Sequence, residues 1–131
     1  MSVIKKLVTL LRGSVREIGD SVIDANGARI YEQEIVDAKH HIEQARGELT
    51  AVMAKEMQSA REIERLKGEA ARYEALAIEA LDKSKESLAE DVAVKVAEVE
   101  AQLDEQTKAH ASYAVQVQRL RDLIKAAEAR I

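Results

Sequence analysis

The sequence predicts an all-α protein in which an N-terminal amphipathic helix is followed by a long antiparallel coiled-coil helical hairpin. The 131 residues include 22 alanines but no Pro, Phe or Trp, a composition typical of long helices and unlike that of a compact mixed core. Hydrophobic residues also recur at alternating steps of three and four along most of the chain, which is the heptad pattern of a coiled coil. The absence of Cys excludes disulfides and thiolate metal sites.

Residues 1–24 are predicted to form a membrane-binding helix and a hinge. Aliphatic residues share one helix face and basic residues share the other, and residues 1–16 carry four basic and no acidic residues in a chain of net charge −4. Such helices lie in bilayer interfaces. Packing of the helix on its own domain or on a neighbouring subunit is the alternative. The predicted membrane-binding residues are Val3, Ile4, Lys5, Lys6, Leu7, Val8, Leu11, Arg12, Val15, Arg16 and Ile18.

The second predicted domain, residues 25–131, follows a break at Asp24–Gly27, where two good N-cap residues and a Gly stand together. We expect a helix over about 26–82, a turn over about 82–87 and a helix over about 87–131. Ser87 and Glu90 have the spacing of a capping box that would start the last helix.

Each hairpin helix carries an uninterrupted heptad seam. The seam of the first helix consists of Ile35, Ala38, Ile42, Ala45, Leu49, Val52, Glu56, Ser59, Ile63, Leu66, Ala70, Tyr73, Ala77 and Ala80. The seam of the second consists of Ala89, Val92, Val96, Val99, Leu103, Gln106, His110, Tyr113, Val117, Leu120, Ile124, Ala127 and Ile131.

A short turn makes the two helices antiparallel neighbours, and pairing Ala80 with Ala89 then fixes every later layer. This register places Ser59 opposite His110 and Glu56 opposite Tyr113. Polar seam residues reduce stability unless they are partnered, and they often set the register of a coiled coil. We therefore predict that these four residues form a polar cluster that determines the hairpin alignment.

The outer faces of both helices carry small and aliphatic residues where a fully solvated helix would carry Glu and Lys. Gly47 and Gly68 lie on the first helix, and Val94 and Val115 lie on the second. A Gly inside a helix costs about 1 kcal/mol relative to Ala. We expect these four positions to allow lateral packing of hairpins; tolerated sequence drift is the alternative.

Four stretches resemble the family of phage-shock protein A and the plastid vesicle-inducing protein, the bacterial and plastid relatives of the ESCRT-III membrane remodellers. Residues 1–7 (MSVIKKL) resemble the short membrane-binding helix of the family. Residues 21–38 (SVIDANGARIYEQEIVDA) resemble its acidic break and first hairpin helix. Residues 73–81 (YEALAIEAL) and 85–89 (KESLA) resemble its hairpin tip. The resemblance spans essentially the whole chain.

The resemblance implies a homo-oligomer, in the form of a ring, rod or helical polymer, that binds anionic inner membrane and stabilises or remodels it under stress. Two features depart from the family pattern. Asn26–Gly27 stands where members commonly have a Pro, and the chain ends at Ile131 within a heptad, whereas members continue through further helices. We expect a truncated or short form, nearer to a stand-alone paralogue than to phage-shock protein A. Binding of the phage-shock transcriptional activator is therefore not assumed.

Motifs for catalysis are missing: the sequence contains no phosphate loop, no dinucleotide fingerprint and no zinc-protease motif. Asp37 and His41 lie one helical turn apart but lack a third ligand. We expect no enzyme activity, no cofactor and no metal. The acidic body argues against nucleic acid.

The expected location is cytoplasmic, peripheral on the inner face of the cytoplasmic membrane. A protein regulator of unknown identity is a further partner class. The alternative function is a soluble coiled-coil adaptor or regulator whose N-terminal helix binds a partner's groove.

Overall fold

The computed structural model describes residues 3–17 and 25–131, with side chains described for residues 3–12 and 29–131. Three helices cover these ranges: α1 (Val3–Glu17), α2 (Ala25–Asp82) and α3 (Glu86–Ala129). The described residues contain no strand, and α2 and α3 pair as a helical hairpin. The predicted all-α fold class is thereby confirmed.

The connection between α2 and α3 is a Schellman motif built without glycine. Ser84 has a φ of 57°, the left-handed conformation that usually requires Gly. The amide of Lys85 donates to the carbonyl of Ala80 at 2.8 Å, and the amide of Ser84 donates to the carbonyl of Leu81 at 3.0 Å. These two bonds satisfy carbonyls at the end of α2 that have no partner inside the helix.

The last helix begins at Glu86, so Ser87 lies inside its first turn and is not the N-cap. The left-handed conformation of Ser84 reverses the chain direction before Ser87 is reached. The carbonyl of Lys85 therefore accepts the first hydrogen bond of α3, from the amide of Ala89 at 3.0 Å. The capping-box prediction placed this start too late. Ile131, the last predicted seam residue, lies beyond α3 and is 49% exposed, so its inclusion in the seam is wrong.

The chain divides into two compact units, and α2 and α3 contribute to both. The first unit comprises Met1–Met53 and Val115–Ile131, and the second comprises Ala54–Ala114. The seam residues other than Ile131 are all buried or half-buried. The predicted heptad pattern therefore describes the buried face of both hairpin helices along their paired length.

The core of the first unit is formed by all three helices. Leu7 of α1, Ile42 and Ala45 of α2, and Ile124 and Ala127 of α3 form one buried cluster. Half-buried residues surround it, namely Val3, Leu10, Leu11, Leu49 and Leu123. The hairpin seam and the apolar face of α1 thus share one core.

The core of the second unit is a plain two-helix seam. Leu66 and Ala70 of α2 are buried against Val99 of α3, with Tyr73 and Leu103 packed at the edge. Aliphatic and small residues predominate in this cluster, and Tyr73 is its one aromatic residue.

Candidate functional site

The apolar face of α1 is in contact with the hairpin. Leu7 is fully buried, and Val3, Leu10 and Leu11 pack against the same cluster. The structure therefore places the predicted membrane-binding face on the protein's own helices, which is the alternative considered from the sequence. Ile4 and Val8 are half-buried. The side chains of Val15 and Arg16, and the whole of Ile18, lie outside the described residues.

The opposite face of α1 is polar and exposed. Lys5 and Arg12 are exposed and Lys6 is half-buried. Thr9 lies between them and donates its hydroxyl to the carbonyl of Lys5 at 2.8 Å, which satisfies the hydroxyl within the helix. No acidic residue occurs in the first turn of α1. The exposed face of this helix is therefore positively charged.

Two residues of the α1 interface were not predicted. Leu10 lies beside the apolar stripe that the helical period defines, and it widens this stripe. Leu123 directly precedes the seam residue Ile124, at a position that heptad analysis assigns to the flank of the seam. An aliphatic residue at such a flank is the signal that could have revealed a third helix.

The polar layer lies within the second unit. Ser59 is only 4% exposed, and its hydroxyl lies 3.0 Å from Nδ1 of His110. The same hydroxyl donates to the carbonyl of Glu56 at 2.8 Å, and that carbonyl also lies 3.2 Å from Nδ1 of His110. Glu56 thus takes part through its main chain, and Tyr113 is half-buried in the adjacent layer.

A basic groove of about 480 Å³ runs along the first unit, with Arg46 on α2 and Arg121 and Lys125 on α3. Arg46 forms ion pairs with Glu43 and, across the helices, with Glu128. The bond to Glu128 is the main reason that the pKa of Arg46 is raised. Because Arg46 is already neutralised by carboxylates, the groove has less capacity for anions than its three cations suggest.

The positions predicted for lateral packing lie on the surface. A Cβ atom added at Gly47 or Gly68 would meet nothing within 4 Å. Val94 and Val115 are 59% and 69% exposed. Neither glycine is therefore required by packing within the chain, and both valines leave apolar surface in contact with water.

The described residues contain no group of three or more His, Asp or Glu side chains that could hold a metal ion. Asp37 accepts a hydrogen bond from Gln33 at 2.9 Å, and Nδ1 of His41 lies 3.5 Å from the amide oxygen of Gln44. Within the described ranges, no helix combines the length and apolarity needed to cross a bilayer.

A family model, described as the PspA/IM30 family, matches residues 2–131, which is nearly the entire chain. The chain belongs to the PspA/IM30 family. Members of this family are structural proteins without enzyme activity that generally form homo-oligomers and associate with membranes. No curated protein and no solved structure is similar enough to this chain to count as a match.

Proposed function

We propose that this protein is a self-assembling structural protein that binds the anionic inner face of the cytoplasmic membrane and stabilises or remodels it under stress. The observation that carries the proposal is the division of α1 into an aliphatic face and a basic face, in a chain of the PspA/IM30 family. No residue is assigned a catalytic role, and no cofactor or nucleic acid is required.

The two faces of α1 provide the two kinds of energy that peripheral membrane binding needs. Burying a Leu or Val side chain in an apolar phase contributes about 1.5–3 kcal/mol. Each Lys or Arg near an anionic leaflet contributes about 1 kcal/mol. Leu7 and Leu11 would supply the first contribution, and Lys5 and Arg12 the second. Both are needed, because one weak anchor alone gives only marginal, reversible binding.

Self-assembly is supported by the outer surface of the hairpin. Gly47 and Gly68 leave room for close approach of another helix, and Val94 and Val115 offer exposed aliphatic contacts. Hairpins packed side by side through these positions would bury surface that the isolated chain leaves in water. Lateral packing of this kind produces an extended polymer whenever successive contacts do not close into a ring.

A soluble adaptor is the second candidate, and the burial of Leu7 favours it. The apolar face of α1 fits a groove between two helices, and a partner protein could present a similar groove. This function predicts a discrete monomer or dimer and no dependence on lipid. Negative-stain microscopy with and without anionic vesicles separates the two candidates, since only the first predicts rings, rods or tubes.

Vesicle flotation tests the membrane contact. The variant Lys5→Glu/Arg12→Glu should bind vesicles of phosphatidylglycerol and phosphatidylcholine roughly thirtyfold more weakly or worse, because about 1 kcal/mol is lost with each basic residue. The matched control is Lys55→Glu/Arg61→Glu in the second unit, which changes the net charge equally, from −4 to −8. Equal weakening of both variants, or unchanged binding after deletion of residues 1–22, would reject the proposed contact.

A further inference from the structure

The side chains proposed to enter lipid are the ones that α1 buries against the hairpin. Leu7 is fully buried, and Val3 and Leu11 pack around it. The helix has one apolar stripe, and the described face opposite to it carries Lys5, Thr9 and Arg12. A single stripe cannot be covered by protein and by acyl chains at the same time.

The groove that receives α1 is itself apolar. Its floor consists of Ile42, Ala45, Ile124 and Ala127, which are at most 7% exposed with α1 in place. Leu49 and Leu123 are half-buried and pack against the same cluster. Departure of α1 would uncover the parts of this surface that α1 contacts, which is unfavourable in proportion to the apolar area uncovered. The bound position of α1 is thus stabilised from both sides of the interface.

We propose that the hairpin groove and the lipid surface compete for the apolar face of α1, so that the isolated chain is held in a closed state and membrane binding requires release of α1. The inference rests on the proposed membrane-binding function. It adds that the groove formed by Ile42, Ala45, Leu49, Leu123, Ile124 and Ala127 restrains this function.

The exposed basic face gives the closed state a way to reach the membrane. Lys5 and Arg12 remain exposed while α1 is on the groove. An anionic surface attracts them before any apolar side chain is released. The headgroup charge therefore brings the chain to the bilayer, and the transfer of Leu7 from the groove to the lipid follows. Neutral vesicles lack the first step and should recruit the chain poorly.

Competition lowers the apparent affinity for lipid. If only a fraction of chains has α1 released, the apparent dissociation constant equals the intrinsic constant divided by that fraction. A substitution that weakens the groove without touching α1 should then strengthen membrane binding. This outcome is opposite to that expected if the contact only stabilised the fold.

Leu123→Gln is the substitution of choice, because Leu123 contacts the α1 cluster but precedes the seam residue Ile124 and so lies outside the seam. We expect about fivefold or more tighter binding to phosphatidylglycerol-containing vesicles, with helical content preserved. Leu88→Gln is the matched control. Leu88 also directly precedes a seam residue of α3, is 49% exposed and belongs to the second unit. It should leave vesicle binding unchanged.

A disulfide provides the converse test, because the chain has no Cys of its own. Leu7→Cys is combined with Ala127→Cys, or in a second variant with Ala45→Cys, since all three positions lie in one buried cluster. The oxidised, cross-linked protein should lose vesicle binding at least tenfold, and reduction should restore it. Comparing the two redox states of one variant removes the effect of the substitutions themselves.

The outcomes separate this inference from the function on which it rests. Equal binding by oxidised and reduced protein, unchanged or weaker binding by Leu123→Gln, or failure of both Cys pairs to cross-link would overturn the competition. Failure of the wild-type chain and of the reduced variants to bind anionic vesicles would instead overturn the proposed membrane function.

Discussion

The polar layer of the hairpin shows how far individual contacts can be derived from the sequence. The heptad register brings Ser59 and His110 to one layer, because a seam position in one helix has only one opposite number in the other. It does not reveal that the carbonyl of Glu56 is the shared acceptor, at 2.8 Å from Ser59 and 3.2 Å from His110. Every residue carries a main-chain carbonyl, so the sequence does not show which carbonyl accepts a hydrogen bond. The local geometry of the helix decides which carbonyl a side chain such as that of Ser59 can reach.

Replacing both members of the polar pair should not destabilise the hairpin. We expect Ser59→Ala/His110→Leu to leave the free energy of unfolding unchanged or to raise it by about 1–2 kcal/mol, because no buried polar group is left unpaired. His110→Leu alone should be less favourable than the pair. Urea denaturation followed by circular dichroism measures both. A double variant less stable than either single variant would contradict the expectation.

Ser84 holds a conformation that glycine adopts without strain. Its φ of 57° costs a residue with a Cβ atom about 1–2 kcal/mol. We expect Ser84→Gly to raise the free energy of unfolding by about 1 kcal/mol, as seen in urea denaturation. Lys83→Gly is the control one residue earlier, where no left-handed conformation occurs. It should bring no gain, and an equal gain in both variants would show that chain flexibility, not φ, is responsible.

At the scale of the elements, the helical period predicts the apolar face of α1 but not what covers it. Lipid and a protein groove remove the same aliphatic area from water, so both produce the same spacing of Leu7 and Leu11. The hairpin is different, because the heptad seams of its two helices match each other along their length. The sequence alone therefore identifies each helix as the partner of the other. The contact of α1 becomes visible only in the structure, where Leu7 is buried in one cluster with residues of α2 and α3.

Glycines inside α2 provide a prediction about this helix alone. Gly68 has open space around a Cβ atom, so Gly68→Ala should stabilise the monomeric chain by about 1 kcal/mol through reduced flexibility of the unfolded state. Ala75→Gly, one heptad later on the same face, is the reverse control and should destabilise it by a similar amount. Thermal unfolding at a concentration below assembly measures both. A destabilising Gly68→Ala would show that this position is crowded.

The surface of α2 also carries a pH-dependent pair. Arg65 donates from Nε to Glu62 at 3.1 Å, and a second nitrogen contacts the other carboxylate oxygen. This hydrogen bonding holds the pKa of Glu62 below its usual 4.5. Because the folded-state pKa is lowered, the pair stabilises the fold above pH about 4.5 and loses this contribution as the pH falls through the folded-state value.

Arg65→Gln should therefore raise the pKa of Glu62 towards 4.5, as measured by NMR titration of its carboxyl carbon. Lys67→Gln is the control, since Lys67 pairs with Glu64 at 3.7 Å and should leave the pKa of Glu62 unaltered. An unchanged pKa in Arg65→Gln would mean that the fork between Arg65 and Glu62 does not persist in solution.

For the whole molecule, charge divides along the two units. The first unit has eleven basic and ten acidic residues, a net charge of +1, whereas the second has nine basic and fourteen acidic residues, a net charge of −5. An anionic bilayer repels the second unit and tolerates the first. The charges are counted from the sequence, but the boundaries of the two units come from the structure.

The contacts between chains in an assembly cannot be derived from the sequence or from the structure of one chain, because the partner surface belongs to another copy. If the exposed valines support lateral packing, Val115→Glu should abolish rings, rods or tubes in negative stain while leaving the helical signal intact, because it places a charge in an apolar contact. Gln58→Glu adds the same charge at an exposed position of the other hairpin helix, α2, and should assemble normally. Polymers of Val115→Glu would remove this face from the interface.

The polar layer of Ser59 and His110 has a mechanical consequence for any assembly that must bend. When one paired helix slides along the other by a whole heptad, each seam side chain again faces a seam position of the partner. A one-heptad shift in one direction would set Ser59 against Leu103, and in the other it would set His110 against Leu66. Either shift leaves a polar group without its partner, at about 1–3 kcal/mol. A curved polymer of this protein should therefore bend by rotation of one chain against the next, not by sliding of α2 along α3.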